Sequence, residues 1–160
     1  MADRHNSAHQ WFWQTSDSIG LAGVVLAGAL EWIWPGNLES ILPAPYRTLL
    51  GGIVLLAGGT FIAQARRELK RGRQPAAPGK PTTRLLTSGI YRWSRNPIYV
   101  GMLLVFAGGA MALNWPWLLA ATTAMVPATY LLLIRPEESY LARTFGREWE
   151  DYRARVRRWL

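Results

Sequence analysis

The residues with the clearest capacity for chemistry lie at positions 87–101, where a basic loop meets an apolar segment. Within the stretch TSGIYRWSRNPIYVG, positions 89–99 hold two arginines, three aromatic side chains and a glycine. Asn96 and Pro97 predict a helix start there, with Asn as the N-cap and Pro at the first helical position. The other side chains exceed what such a junction needs, and they predict a binding site at a helix N-terminus, where backbone donors are unpaired. A membrane anchor with positive charge and interfacial aromatics explains the same residues without a ligand.

Four apolar segments alternate with basic stretches, so a chain that is 50% hydrophobic has a mean hydropathy of only +0.03. This pattern predicts an all-α integral membrane protein with four transmembrane helices and an amphipathic helical C-terminal segment at 136–158. The expected spans are 18–34, 46–65, 98–113 and 117–134. The length of 160 residues suffices for a single domain, 1–160.

Small residues and turn residues predict how these segments pack. Gly23 and Ala27 form a small-xxx-small pair in the first segment, and glycine pairs at 51–52 and 58–59 suit close helix packing in the second. Asn114, Trp115 and Pro116 predict a tight turn, which makes the third and fourth segments an antiparallel hairpin. Pro127 predicts a kink in the fourth.

The positive charge is concentrated on one side of the predicted bundle. The chain carries a net charge of +8, and the loop at 66–97 together with the tail from residue 135 holds 16 of the 18 Lys and Arg. The positive-inside tendency therefore predicts that this side and both termini are cytoplasmic. Nucleic acid is rejected as a partner, because the basic residues flank apolar segments and no nucleic-acid motif is present. Whether positions 74–80 of the loop act as a lid is left open.

Several classes of chemistry are excluded or disfavoured by composition. The chain has no Cys, which excludes disulfides, thiolate catalysis and Cys-based metal sites. His5 and His9 have the i, i+4 spacing of a helical metal pair, but no third ligand is nearby, so no metal site is predicted. The first 17 residues contain acids, His and Trp without an apolar core, so no cleavable signal peptide is expected.

A second polar cluster follows the fourth segment, at Arg135, Pro136, Glu137 and Glu138. The hairpin makes the third and fourth segments neighbours, so this cluster is expected to meet the one at 89–99 on the cytoplasmic side. The alternative is that the two acids merely stabilise a helix N-terminus after Pro136.

The C-terminal tail carries a helical apolar stripe. Its members are spaced by 4, 4, 3, 4 and 3 residues: Leu141, Phe145, Trp149, Tyr152, Val156 and Trp159. A break is expected at Phe145 and Gly146. The stripe predicts an element that either lies on the membrane or caps the helical bundle.

These motifs together resemble those of integral-membrane methyltransferases related to isoprenylcysteine carboxyl methyltransferase and phosphatidylethanolamine N-methyltransferase. The similarity covers about 66–160. It lies in the string Gly89-x-Tyr91-x-x-x-Arg95-Asn96-Pro97-x-Tyr99-x-Gly101, the paired glutamates, the string Phe145-Gly146-x-x-Trp149-x-x-Tyr152, and the final Val156-Arg157-Arg158-Trp159. The resemblance implies S-adenosylmethionine bound in a cytoplasmic pocket and a lipophilic acceptor that enters from the bilayer.

The resemblance, with the chemistry of the side chains, assigns expected roles. The residues expected to bind the cofactor are Ser88, Gly89, Ile90, Tyr91, Asn96, Pro97, Tyr99, Gly101, Glu137 and Glu138. The residues expected to act in catalysis are Arg95, Arg135 and Glu138. Glutamates suit the cofactor's ammonium or ribose hydroxyls, and tyrosine ring faces attract a cationic sulfonium. Arg135 would orient a carboxylate or thiolate acceptor, whereas an amine acceptor would lose its proton to a glutamate. The acceptor and the oligomeric state stay open.

A protein of a different class would share the charge pattern. A non-catalytic four-span membrane protein could bind anionic lipid or a partner through the basic loop and tail. That hypothesis accounts for the spans and the charge, but not for the mixed polar cluster at 89–99 or for the paired glutamates.

Overall fold

A computed structural model describes residues 16–74 and 82–160, and the regular secondary structure of these residues is entirely helical, as the sequence predicts. His5, His9 and positions 75–81 of the loop lie outside the described residues. The α-helices are α1 (Ser16–Ile33), α2 (Ala44–Arg71), α3 (Pro97–Ala112), α4 (Pro116–Thr129), α5 (Arg135–Phe145) and α6 (Arg147–Arg155). A short 3-10 helix (Gly89–Arg92) precedes α3, and a π-helical turn (Tyr130–Ile134) joins α4 to α5.

Helices α2 and α3 pack backbone to backbone through glycines. A Cβ atom at Gly58 would lie 2.6 Å from the carbonyl oxygen of Gly101, and one at Gly51 would lie 2.7 Å from that of Gly108. Gly51 and Gly58 are seven positions apart on α2, as are Gly101 and Gly108 on α3. Because Gly51 meets Gly108 and Gly58 meets Gly101, the two helices run antiparallel with matched close contacts. In each predicted glycine pair, one glycine faces α3 and the other does not. Added Cβ atoms at positions 52 and 59 would meet nothing within 4 Å.

Helix α1 packs against α4 at the predicted small residues. Gly23 contacts the side chain of Met125, and Ala27 is fully buried in an apolar cluster with Ala110 and Leu118. The small-xxx-small pair therefore lies in a helix interface.

The turn between α3 and α4 is closed by a Schellman-type motif. Asn114 adopts a left-handed conformation with φ of 58°, and the Trp115 amide donates to the Ala110 carbonyl at 2.8 Å. Arg47 from the start of α2 is buried and donates to the Met111 carbonyl at 2.8 Å, so a cation caps the C-terminal end of α3. The predicted hairpin turn is therefore confirmed.

Helices α4 and α5 form one continuous helix of 30 residues. Ile134 has helical angles, and the Arg135 amide donates to the carbonyl of Tyr130 across the π-helical turn. The fourth span predicted to end at residue 134 therefore continues without a break into the C-terminal helical segment that begins at Pro136. Glu137 and Glu138 thus lie along a continuing helix, and stabilisation of a free helix N-terminus does not explain them.

Two helices of the described chain are long and apolar enough to cross a membrane: α2, and the continuous helix of α4 and α5. Helix α3 is a shorter apolar helix. By this measure the four expected spans become two. Large apolar side chains on α2 are nevertheless exposed, including Leu49, Ile53 and Leu56. An outward apolar surface of this kind favours a membrane, because water-soluble monomers rarely expose large apolar patches.

Candidate functional site

The start of α3 and the two acids of α5 meet. The Arg95 guanidinium lies 3.2 Å from a Glu138 carboxylate oxygen, and the Tyr99 hydroxyl donates to Glu137 at 3.0 Å. One contact comes from the loop just before α3 and the other from its first turn, so the two helices are joined at two adjacent points. The contact that the sequence predicts between these clusters is therefore present.

Arg95 is held in a largely buried position. Only 10% of its side chain is exposed, and its guanidinium carbon lies 5.4 Å from the centre of the Trp149 ring, where a cation is attracted by the ring face. Burial lowers the pKa of the Arg95 guanidinium, while the charge of Glu138 raises it. The buried Nε of Arg95 has no hydrogen-bond partner within the described part of the chain. This arginine therefore keeps one donor for a further acceptor.

The residues on either side of Arg95 bind the C-terminal segment. Asn96 Nδ2 and Ser94 Oγ both donate to the Arg158 carbonyl, at 3.0 and 3.2 Å, and the Arg95 amide donates to the Arg157 carbonyl at 3.0 Å. Asn96 does occupy the position before α3, but its side chain makes no capping hydrogen bond to that helix. The capping role predicted for this side chain is wrong, because its amide is used to hold the C-terminal segment.

Arg158 is a site residue that the sequence did not single out. Its guanidinium makes a bidentate contact with Glu138, with Nη2 to Oε2 at 2.9 Å and Nε to Oε1 at 3.1 Å, and lies 4.9 Å from the centre of the Tyr130 ring. The available signal was its place in the final Val156-Arg157-Arg158-Trp159 string. Two arginines from distant segments therefore share one carboxylate.

The turn at 88–92 is organised around Glu68, a second residue that the sequence did not single out. Gly89 has a φ of 58°, and a Cβ there would lie 2.5 Å from the Glu68 carboxyl carbon, so this position requires glycine. The Ser88 hydroxyl donates to Glu68 at 3.0 Å, and Ile90 is buried. The signal for Glu68 was that it is the only acid among the nine Lys and Arg of positions 66–96.

Helix α6 covers this turn. Trp149 and Tyr152 are buried against Leu85, and the Tyr152 hydroxyl donates to the Tyr91 carbonyl at 2.7 Å. The break at Gly146, which has a φ of 49°, separates α5 from α6 as predicted. Of the two predicted placements for the apolar stripe, the structure shows that it caps the bundle.

Tyr91 lies between the acids of α5 and the end of α2. Burial raises the pKa of its hydroxyl, and the charges of Glu137, Tyr152 and Glu68 raise it further. A cleft of about 300 Å³ lies between the C-terminal end of α2 and residues 84–88, and Glu68 and Ser88 are in its lining. The predicted cofactor residues therefore form two adjoining groups, one at the acids and one at this cleft.

Three of the expected site residues have other surroundings. Gly101 faces α2, where its packing against Gly58 accounts for the absence of a side chain. Pro97 is buried as the first residue of α3. Arg135 is exposed, and among residues 16–74 and 82–160 its side chain makes no ion pair.

Comparison with known proteins extends the assignment. A family model described as phospholipid methyltransferase matches residues 46–148, which is more than half of the chain. Two relatives, from Oryza sativa subsp. indica and subsp. japonica, are each named "Probable protein-S-isoprenylcysteine O-methyltransferase". Each is 36% identical over 73 residues, which cover 46% of this chain and 38% of the relative. The matched stretch is thus well under half the length of these relatives.

Proposed function

Because the chain belongs to the phospholipid methyltransferase family, we propose that it transfers a methyl group from S-adenosylmethionine to a lipophilic acceptor at a membrane. The name of the Oryza relatives supports an acceptor like an isoprenylated cysteine carboxylate, and the family description supports a phospholipid. A carboxylate, a thiol or an amine could each accept the methyl group.

Two contacts between the start of α3 and α5 carry this proposal: the ion pair of Arg95 with Glu138 and the hydrogen bond from Tyr99 to Glu137. The donor set fits the cofactor. Carboxylates complement its α-amino group, and the unpaired Nε of Arg95 complements its carboxylate. The ring faces of Tyr91 and Tyr99 suit its sulfonium.

The cleft beside Ser88 suits the nucleoside part of the same molecule. Its volume of about 300 Å³ is at the lower end of the range for small-molecule sites. The turn that carries Tyr91 borders this cleft, because Ser88 lines the cleft and donates a hydrogen bond to Glu68, which lines it as well. We infer that the cofactor lies along Tyr91, with its amino-acid end at α5 and its nucleoside end at the cleft.

The protein's contribution to the reaction is mainly positioning. When bound, S-adenosylmethionine supplies a methyl group on a sulfonium, which a nucleophile displaces in one step. The Trp149 ring lies against the Arg95 guanidinium and the Tyr152 hydroxyl binds the Tyr91 carbonyl, so α6 shields this side of the site from water. Arg135, the exposed arginine of α5, orients a carboxylate or thiolate acceptor, whereas an amine acceptor loses its proton to a glutamate of α5.

The membrane arrangement that fits this function has four spans, formed by α1, α2, α3 and α4. Helix α2 is one span that is long and apolar enough to cross a membrane, and the continuous helix of α4 and α5 contains another. Helices α1 and α3 complete the bundle by packing against them through Gly23 and Gly101. The arginine-rich end, which carries the site, faces the cytoplasm in this arrangement, as do both termini.

The proposal is tested by titrating S-adenosylhomocysteine, the reaction product, into the detergent-purified chain in a calorimeter. We expect micromolar binding that is lost in Glu138→Ala and retained in Glu150→Ala, a matched exposed acid on α6. Transfer of a labelled methyl group across extracted lipids then identifies the acceptor. A folded protein that does not bind S-adenosylhomocysteine contradicts the proposal and favours a non-catalytic protein that binds anionic lipid.

A further inference from the structure

The carboxylate of Glu138 is fully engaged by protein cations. Its Oε1 contacts Arg95 at 3.2 Å and Arg158 at 3.1 Å, and its Oε2 contacts Arg158 at 2.9 and 3.3 Å. An ammonium group that pairs with Glu138 must therefore replace at least one of these guanidiniums, because little acceptor capacity remains.

The two arginines differ in how firmly they are held. Each guanidinium lies against a ring, Arg95 against Trp149 and Arg158 against Tyr130, but the Arg95 side chain is 10% exposed whereas that of Arg158 is 36% exposed. The backbone at Arg158 is fixed separately, because its carbonyl accepts hydrogen bonds from Asn96 and Ser94. The Arg158 guanidinium can therefore turn toward solvent while its segment stays in place.

We propose that Arg158 competes with the cofactor for Glu138. In the free protein the Arg158 guanidinium occupies the place on Glu138 that the ligand's α-ammonium takes, and it leaves when the ligand binds. This inference rests on the proposed function. Arg158 then neutralises Glu138 in the free protein, and the ligand's ammonium takes over that task. The carboxylate of Glu138 therefore contacts two cations both in the free protein and in the ligand-bound protein. Its negative charge stays balanced in a partly buried position throughout.

The test compares two ligands on the detergent-purified full chain. S-adenosylhomocysteine carries the α-ammonium, and 5′-methylthioadenosine is the same thioether nucleoside without the amino-acid part. We expect Arg158→Gln to bind S-adenosylhomocysteine about three- to tenfold more tightly than Arg157→Gln does. The gain arises because the ligand no longer has to break the partly exposed, charge-assisted pair of Arg158 with Glu138. Arg157→Gln is the matched control, because it removes the same charge one residue away. Affinity for 5′-methylthioadenosine should be equal in both variants.

Arg158→Lys keeps a cation at the position and should restore an affinity for S-adenosylhomocysteine close to that of the unmodified chain. Equal or weaker binding of S-adenosylhomocysteine by Arg158→Gln than by Arg157→Gln overturns the competitor role. So does an equal gain for both ligands, which would indicate a general change of the site. If no form of the folded protein binds either ligand, the proposed function fails, and this inference fails with it.

Discussion

Replacement of Gly58 by Ala tests the glycine contacts that set the distance between α2 and α3. The new Cβ would lie 2.6 Å from the Gly101 carbonyl oxygen and 2.7 Å from the Val105 amide nitrogen, so the helices must move apart. Overpacking of this kind destabilises a core by about 1–3 kcal/mol. Gly59→Ala is the matched control, because a Cβ there meets nothing within 4 Å. Both variants share the gain of about 1 kcal/mol in helix propensity, so their difference isolates the packing term.

The assay is thermal unfolding of the two variants in the same detergent. For a chain of this size, 1 kcal/mol corresponds to a shift in Tm of about 2–4 °C, so Gly58→Ala should melt about 2–12 °C below Gly59→Ala. Gly101→Ala should behave like Gly58→Ala, because its Cβ would lie 2.7 Å from the Gly58 carbonyl oxygen. Equal Tm values for Gly58→Ala and Gly59→Ala would refute the backbone contact and the position it gives to the start of α3.

Two further substitutions test the site. Tyr99→Phe removes the hydroxyl that donates to Glu137. It should weaken binding of S-adenosylhomocysteine about two- to tenfold in titration calorimetry and leave Tm nearly unchanged. A large loss of Tm instead would show that the hydroxyl serves mainly stability. Gly89→Ala places a Cβ against Glu68 at a positive φ and should destabilise the fold by about 1–3 kcal/mol in thermal unfolding. A Tm of Gly89→Ala equal to that of the unmodified chain would contradict the crowding at Glu68.

Local signals in the sequence predicted the ends of several helices. Pro97 begins α3, Asn114 closes the turn before α4, and Gly146 separates α5 from α6. Each of these residues has a backbone preference that acts within a few positions, so no tertiary information is needed. The continuity of α4 with α5 was not predicted, because it depends on the π-helical turn at Tyr130–Ile134.

Contacts between distant segments were harder to predict from the sequence. Adjacent glycines such as 58 and 59 look equivalent, and only the packing of α3 shows which one faces it. Arg158 and Glu68 were not singled out, because basic residues surround both and an ion pair depends on where the chain returns. Asn96 was correctly placed before α3, but its side-chain amide binds the C-terminal segment, whose position is a tertiary property.

The central claim is that one cofactor lies where the start of α3 meets the acids of α5. Photolabelling of the detergent-purified chain with methyl-labelled S-adenosylmethionine, followed by peptide mapping, tests it most directly. We expect label in the peptides that carry Tyr91, Tyr99 and Glu138, and its suppression by excess S-adenosylhomocysteine. Suppressible label confined to peptides of α1 or the first half of α2, or no suppressible label in folded protein, would contradict the account.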